Sequence, residues 1–339
     1  MSDRPDNDRQ ADLDYLDAAM PDHDEHHAEE SIRHEPARTS GQATVVLPPP
    51  PAGTTPVTPA AAAPEDRTWF WPIVNLIGLG VVVGVNYLAN YLELNGQTTG
   101  DVVNKDPVPF QPEGWVFSIW GLIYVLLAGF VLYGLTPSGR HNVRLQRISP
   151  VFLVANIANA TWVFLWHYEQ FFASLVAIVV LLVSLLAIYL GLRMRNPIRR
   201  SIPAERPTLV QRIVLWLPFS IYLGWICVAT LANLMVWLDR SGWDGGPFSY
   251  NVWATLFMLA GTVVAAGFAW LARDPVIPLV MLVAFVGIAQ HAWGDSGLVA
   301  TFGIVLAVVQ AALAAVAWIL SSEDARPDPR FGTRTGTTL

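Results

Sequence analysis

The sequence predicts an all-α membrane protein: a polytopic bundle of about eight transmembrane helices, preceded by a disordered N-terminal tail. Three observations predict it. Of 339 residues, 53% are hydrophobic and only 14% are charged, against about 25% charged in an ordinary soluble domain. The charge is also gathered at one end, with 14 of the 27 acidic residues in the first 67 positions. Beyond them lie eight apolar runs nearly free of charge, and roughly 20 residues at 1.5 Å each cross a hydrocarbon core.

Residues 1–67 are acidic and polar, then rich in Pro and Ala (PPPPAGTTPVTPAAAAP). So little apolar surface cannot offset the entropy of ordering, which predicts a disordered cytoplasmic tail. A basic start followed by an apolar core is missing, so the segment does not read as a secretory signal. His23, Asp24, His26, His27 and His34 cluster there, but a solvated run that preorganises no ligands is the reading expected for them, and no metal site is predicted.

The expected spans are 70–92, 115–135, 148–168, 171–193, 213–238, 251–272, 276–292 and 297–320, with a second cytoplasmic tail at 321–339. Gly, Ala and Ser recur among Leu, Val and Ile, as in membrane helices that pack closely. Trp69, Trp71, Trp115, Trp166, Trp237, Trp253 and Trp318 fall near the ends, where indole rings favour the interface. The span 171–193 holds only two serines and a tyrosine as polar residues before its terminal arginine and is expected to face lipid more than the others. Loop charge sets the orientation. One set of connections and the C-terminal tail carry Arg140, Arg144, Arg147, Arg193, Arg195, Arg199, Arg200, Arg206, Arg212, Arg273, Arg326, Arg330 and Arg334; the opposite set carries only Lys105 and Arg240. Positive charge stays on the cytoplasmic side, so both termini are expected inside a multi-pass protein of the cell membrane, in bacterial terms the inner membrane. The single cysteine, Cys227, excludes an intrachain disulfide.

Polar side chains inside a bilayer are costly and usually face other helices or a cavity. Asn86 and Asn90 stand one turn apart on the first span. Asn156, Asn159, Trp162 and Trp166 form one stripe on the third, and Trp225, Ala229 and Asn233 one face of the fifth, with Pro218 as an expected kink. Phe117, Trp120 and Tyr124 share a side of the second. Two readings are open: interhelical hydrogen bonds and aromatic packing, or an aromatic pocket with a few polar anchors. The first external loop, 93–113, is long and stiffened by Pro107, Pro109 and Pro112, so it reads either as a lid or as a tether. Catalytic chemistry is thin. His141, His167 and His291 form no metal-ligand spacing, no nucleophile–base pair is visible, and no charge inside a span marks an ion relay. No enzyme is expected, no catalytic residue is assigned, and no nucleic-acid partner is expected.

The segment FQPEGWVFSIWGLIYVLLAG resembles the second-helix signature of the tryptophan-rich sensory proteins, the TspO/translocator (peripheral-type benzodiazepine receptor, MBR) family, through Pro112, Trp115, Phe117, Trp120 and Tyr124. ANIANATWVFLW resembles the third helix through Asn159 and Trp162, and LPFSIYLGWICVATLAN the fifth through Pro218, Trp225, Ala229 and Asn233. The resemblance covers roughly 70–238. It departs from the family at Ala155, where many members have glutamine, and at Val163, where serine is usual; the first connection is longer, and three further helices follow. The resemblance implies a TspO-like five-helix bundle over 68–238 with three added transmembrane helices over 239–320. It also implies a homodimer, and a ligand such as protoporphyrin, haem or a sterol-like or drug-like molecule held between helices beneath the first loop. Under it Trp115, Phe117, Trp120, Tyr124, Asn159, Trp162, Trp225, Ala229 and Asn233 become candidate ligand-binding or helix-interface residues. The function expected is therefore a membrane sensor or transporter that binds a hydrophobic small molecule, most of all a tetrapyrrole. Porphyrin or haem enters as ligand and no cofactor is obligatory; membrane lipid is the other partner. A permease of unknown substrate is the alternative, and a porphyrin- or lipid-modifying enzyme ranks last.

Overall fold

The computed structural model describes residues 67–193 and 208–323, all within one compact unit. The acidic tail with its histidine cluster, Arg195, Arg199, Arg200 and Arg206, and the C-terminal tail with Arg326, Arg330 and Arg334 lie outside the described residues. Among the described residues every regular element is helical: α1 (Arg67–Tyr91), α2 (Thr99–Asn104), α3 (Ile119–Leu135), α4 (Pro137–Arg140), α5 (Val143–His167), α6 (Phe171–Arg193), α7 (Leu209–Gln211), α8 (Leu217–Arg240), α9 (Tyr250–Leu271), α10 (Val276–His291) and α11 (Gly297–Glu323). A 3₁₀ turn, Gly114–Ser118, leads into α3. A π-helical turn, Arg212–Trp216, joins α7 to α8 just before Pro218. Proline has no N–H to give, so the expected kink takes the form of a widened turn.

Seven of these helices are long and apolar enough to cross a membrane, and an eighth, Val276–His291, is shorter. Sixteen residues rise about 24 Å, less than a hydrocarbon core. α10 is short because it is enclosed. Ile277, Met281, Ala284, Phe285, Ile288 and Ala289 are fully buried, and the helix is packed by α8, α9, α11 and the 3₁₀ turn.

α5 is central to the first half, packing against α1 and α6, while α6 packs on α8 and α1 on α3. Its inner stripe of Ala155, Asn156, Asn159, Trp162, Val163 and Trp166 is buried and Ile157 and Phe164 point outward, as 3.6 residues per turn requires. Trp166, expected at the interface, is therefore inside. The expectation for 171–193 is corrected: 39% of its apolar window is buried, more than the 28% of Trp69–Tyr91 and of Gly114–Leu135, because α6 is held between α5 and α8.

α9, α10 and α11 join the first five through α10 on α8, where a Cβ on Gly224 would stand 3.1 Å from Val280 Cβ, so the two backbones approach closely. They also join through a buried charge. Asp274, fully buried between α9 and α10, accepts at Oδ2 from Arg193 Nη2 (2.7 Å), Ser220 Oγ (2.7 Å) and Tyr189 OH (2.9 Å), and at Oδ1 from Val276 N (2.9 Å). Arg193 also lies over the rings of Tyr189 and Trp216.

Candidate functional site

The aromatic residues of α3, α5 and α8 meet. Tyr124, Trp120, Trp162 and Trp166 form a column of near-parallel rings with centroids 5.7, 5.8 and 6.0 Å apart in turn. Trp225 stands edge-on to Trp120 at 6.2 Å and to Phe117 at 5.8 Å. Each helix contributes one face: residues four apart on α5 and on α3, and Trp225, Ala229 and Asn233 on α8.

Between this column and α8 lies a small cavity of about 50 Å³. Phe117, Trp120, Trp162, Trp166, Trp225, Val228, Ala229, Ala232, Asn233 and Val236 line it from the helices. The long first loop closes it with Thr99, Val103, Val108, Phe110, Gln111 and Pro112. The loop is thus an ordered lid, and its sequence shows why. Thr98 and Asp101 make a reciprocal capping box that starts α2, Asp101 N donating to Thr98 Oγ1 (3.2 Å) and Thr98 N to Asp101 Oδ2 (2.8 Å). Asn95 Nδ2 and Gln97 Nε2 donate to the His167 carbonyl at 2.9 and 2.7 Å, tying the lid to the end of α5. At the rim Lys105 pairs with Glu169 (2.8 Å) and Arg240 with Asp106 (3.1 Å). The Lys105 ammonium holds the Glu169 carboxyl below its usual range, and the Thr98 backbone N–H and hydroxyl do the same for Asp101.

The cavity wall has no charged residue, yet it carries polar atoms with no partner. Trp162 Nε1, Trp225 Nε1 and Asn233 Nδ2 are buried donors without an acceptor, and Gln111 Oε1 is an acceptor without a donor. The other ends of the two amides are used: Asn233 Oδ1 accepts from Ser174 Oγ (3.2 Å) and Gln111 Nε2 donates to Asn104 Oδ1 (2.8 Å). An unmade buried hydrogen bond costs about 1–3 kcal/mol, so this wall favours a guest with acceptors.

The expected site residues separate into groups. Phe117, Trp120, Trp162, Trp225, Ala229 and Asn233 line the cavity. Asn159 does not. It is fully buried behind the column, accepts from Asn86 Nδ2 (3.2 Å) and donates to the Tyr222 hydroxyl, so here the amides act as helix-to-helix glue. Tyr124 lies instead on a second, wider hollow of about 430 Å³ between α1, α2 and α3, lined also by Asn86, Asn90 and Asn104. Trp115 is at neither place; it is half exposed and donates from Nε1 to Gln290 Oε1 (2.8 Å) on α10, the tight 3₁₀ turn having aimed it away from Phe117. Trp166, expected on the α5 stripe, also lines the cavity, and the unforeseen contributors are Gln111 and the apolar lid residues Val103, Val108 and Phe110. Asp274 and Arg193 went unrecognised as well, since each stands at the edge of an apolar run and reads as ordinary loop charge. Among the described residues no three His, Cys, Asp or Glu side chains gather as a metal set.

Compared with known proteins, residues 72–316 match a family model described as TSPO-like protein. That stretch takes in the three last helices, which the sequence resemblance did not reach. No curated protein and no solved structure matches.

Proposed function

The chain belongs to the TSPO-like family of membrane proteins, and from that premise we propose that it binds a flat hydrophobic molecule bearing hydrogen-bond acceptors, between the lid and the tryptophan column. A tetrapyrrole such as protoporphyrin or haem is the foremost candidate. One observation carries the reading: three unpartnered donors, on Trp162, Trp225 and Asn233, stand on a wall that is otherwise aromatic and uncharged. Ring faces stack on a planar macrocycle, and its carboxylates or carbonyls satisfy N–H groups that are costly to leave bare. With about 50 Å³ free against about 30 Å³ per water in the liquid, the cavity is closed down and a ligand must move its wall. We further place both termini in the cytoplasm. Arg140, Arg144, Arg147, Arg193, Arg212 and Arg273 lie at the ends of helices opposite the lid, while among the described residues the lid end carries only Lys105 and Arg240 as basic residues.

The test is a titration of the purified full chain with protoporphyrin, followed by tryptophan quenching. Saturable quenching is expected. Trp120→Ala and Trp162→Ala each weaken it roughly tenfold or more through lost stacking area. Asn233→Leu weakens it by roughly 10- to 150-fold for the free diacid and much less for its dimethyl ester, because the bond to a charged acceptor is the stronger one. Absence of saturation, or equal affinity in all three variants, overturns the reading.

A further inference from the structure

The three last helices have no part in the reading above, and the structure assigns them one. We propose that α10 is the dock of the lid: Gly287, Gln290 and His291 are positioning residues that hold the lid's root, residues 110–118, and thereby set how readily the cavity opens.

The root has two sides. One lines the cavity with Phe110, Gln111, Pro112 and Phe117. The other rests on the added helices. Glu113 N donates to the Gly287 carbonyl (3.2 Å), and Trp115 Nε1 donates to Gln290 Oε1 (2.8 Å). Glu113 Oε1 lies 3.8 Å from His291 Nδ1, and Phe110 meets Phe257 of α9 edge-on at 5.8 Å. A Cβ built on Gly287 would come within 2.3 Å of Val116 Cγ2, so the root lies directly against α10. Phe110 and Val116, which make these contacts, are both buried.

The dock itself is closely packed. α10 is enclosed by three helices and is pinned at its start by Asp274. Of the lid's other ties, the rim ion pairs are the exposed ones: Lys105 and Glu169 keep 59% and 38% of their side-chain surface, and Asp106 keeps 67%. Exposed pairs of this kind contribute little. Asn95, Gln97 and Thr99 bond to His167 and Trp166 at the end of α5. Those bonds hold the lid's first limb, and the buried root holds its second, residues 110–118. Two of the cavity's walls, α5 and α8, are continuous helices, and the third, residues 108–118, is loop and 3₁₀ turn leading into α3. Room for a ligand comes from that third wall, and α10 holds it.

This rests on the proposed ligand site for its consequence but not for its first test. Hydrogen–deuterium exchange is measured on the full chain in lipid nanodiscs without ligand. Gln290→Leu removes the acceptor, and Trp115→Phe removes the donor while keeping a ring. Each should speed exchange of amides 108–118 by roughly 2- to 10-fold and leave α5 unchanged. The double variant should go no further than either single one, since both break one bond. Agreement between the two variants separates loss of the bond from a folding defect. In stopped flow with protoporphyrin, association and dissociation should both quicken while the dissociation constant moves little. A residue that merely stabilises the fold would not raise the association rate. Exchange and rates equal to wild type overturn the dock. If exchange quickens but the wild-type chain binds no protoporphyrin, the dock stands and the ligand reading falls.

Discussion

Asp274 offers the sharpest perturbation. Its carboxylate is fully buried and accepts four hydrogen bonds, from Arg193, Ser220, Tyr189 and the Val276 amide, drawn from α6, α8 and the start of α10. Asp274→Ala leaves the Arg193 guanidinium without its counter-charge, though its Nη1 still donates to the Ala272 carbonyl (3.1 Å). Breaking one side of a buried pair typically costs about 3–5 kcal/mol, which is roughly 10²- to 10⁴-fold in the folded-to-unfolded ratio. Arg193→Met alone should cost a similar amount, because it strands the carboxylate. Removing both, as Arg193→Met with Asp274→Leu, abolishes both desolvation penalties and should return most of the loss. Reversible unfolding of the purified chain in mixed micelles measures all four species. The expected signature is strong non-additivity, with the double variant more stable than either single one. Single variants within about 1 kcal/mol of wild type, or a double variant equal to the sum of the two losses, would refute the assignment of a buried, desolvated pair.

Two further outcomes are expected. Asp101 and Glu169 are held below their ordinary values of 3.8 and 4.5 by the lid's own contacts. What they add to lid closure is therefore complete above those values and is lost as pH falls through the lowered ones. Lid amide exchange, corrected for the intrinsic pH effect, should be flat over about pH 5–8 and rise in acid, with the Lys105–Glu169 share also removed by salt. Glycine substitutions should separate by position. Gly139→Ala places a Cβ 1.9 Å from the Tyr133 carbonyl oxygen, a backbone atom that cannot swing aside, and should cost about 2–3 kcal/mol. Gly80→Ala meets nothing within 4 Å and should be neutral or stabilising by up to about 1 kcal/mol in the same unfolding assay.

How far the sequence discloses the structure follows from the range of each signal. Hydropathy sees the thickness of a membrane, so it locates the helices but not where they end: α5 begins at Val143 rather than near 148, because Arg144, Gln146 and Arg147 extend it beyond the apolar stretch. Spacing sees one helix face at a time. It groups Trp120 with Tyr124 and Trp162 with Trp166, but the stacking of Trp120 on Trp162 depends on the register of two helices. The capping box at Thr98 and Asp101 is a local signal that the reading of 93–113 as lid or tether leaves unused. Local chemistry is silent on Trp115 with Gln290, 175 positions apart, and on Arg193 with Asp274, 81 apart. Those two contacts, with the packing of α10 on α8, attach the last three helices to the rest, which is why the sequence alone leaves the purpose of these helices open.

The closed cavity and the wider hollow beside it are two sides of one partition. Thr99, Val103, Phe117, Trp120 and Trp162 line both. Trp120 is its centre, stacked on Tyr124 and Trp162 and edge-on to Trp225. Swinging it aside breaks two stacks, and at about 0.5–1.5 kcal/mol each the opening costs roughly 1–3 kcal/mol. At that cost the open state is populated at roughly 0.6–16%, enough for the proposed ligand to enter without an energy source. Phe117 lies within the segment that α10 holds and Trp120 follows directly on it, so the same dock restrains the lid and the partition. Loosening Trp115 from Gln290 should therefore raise access through both walls at once, and a chain whose Trp120 variants open fully while the dock variants change nothing would show that the two walls move independently.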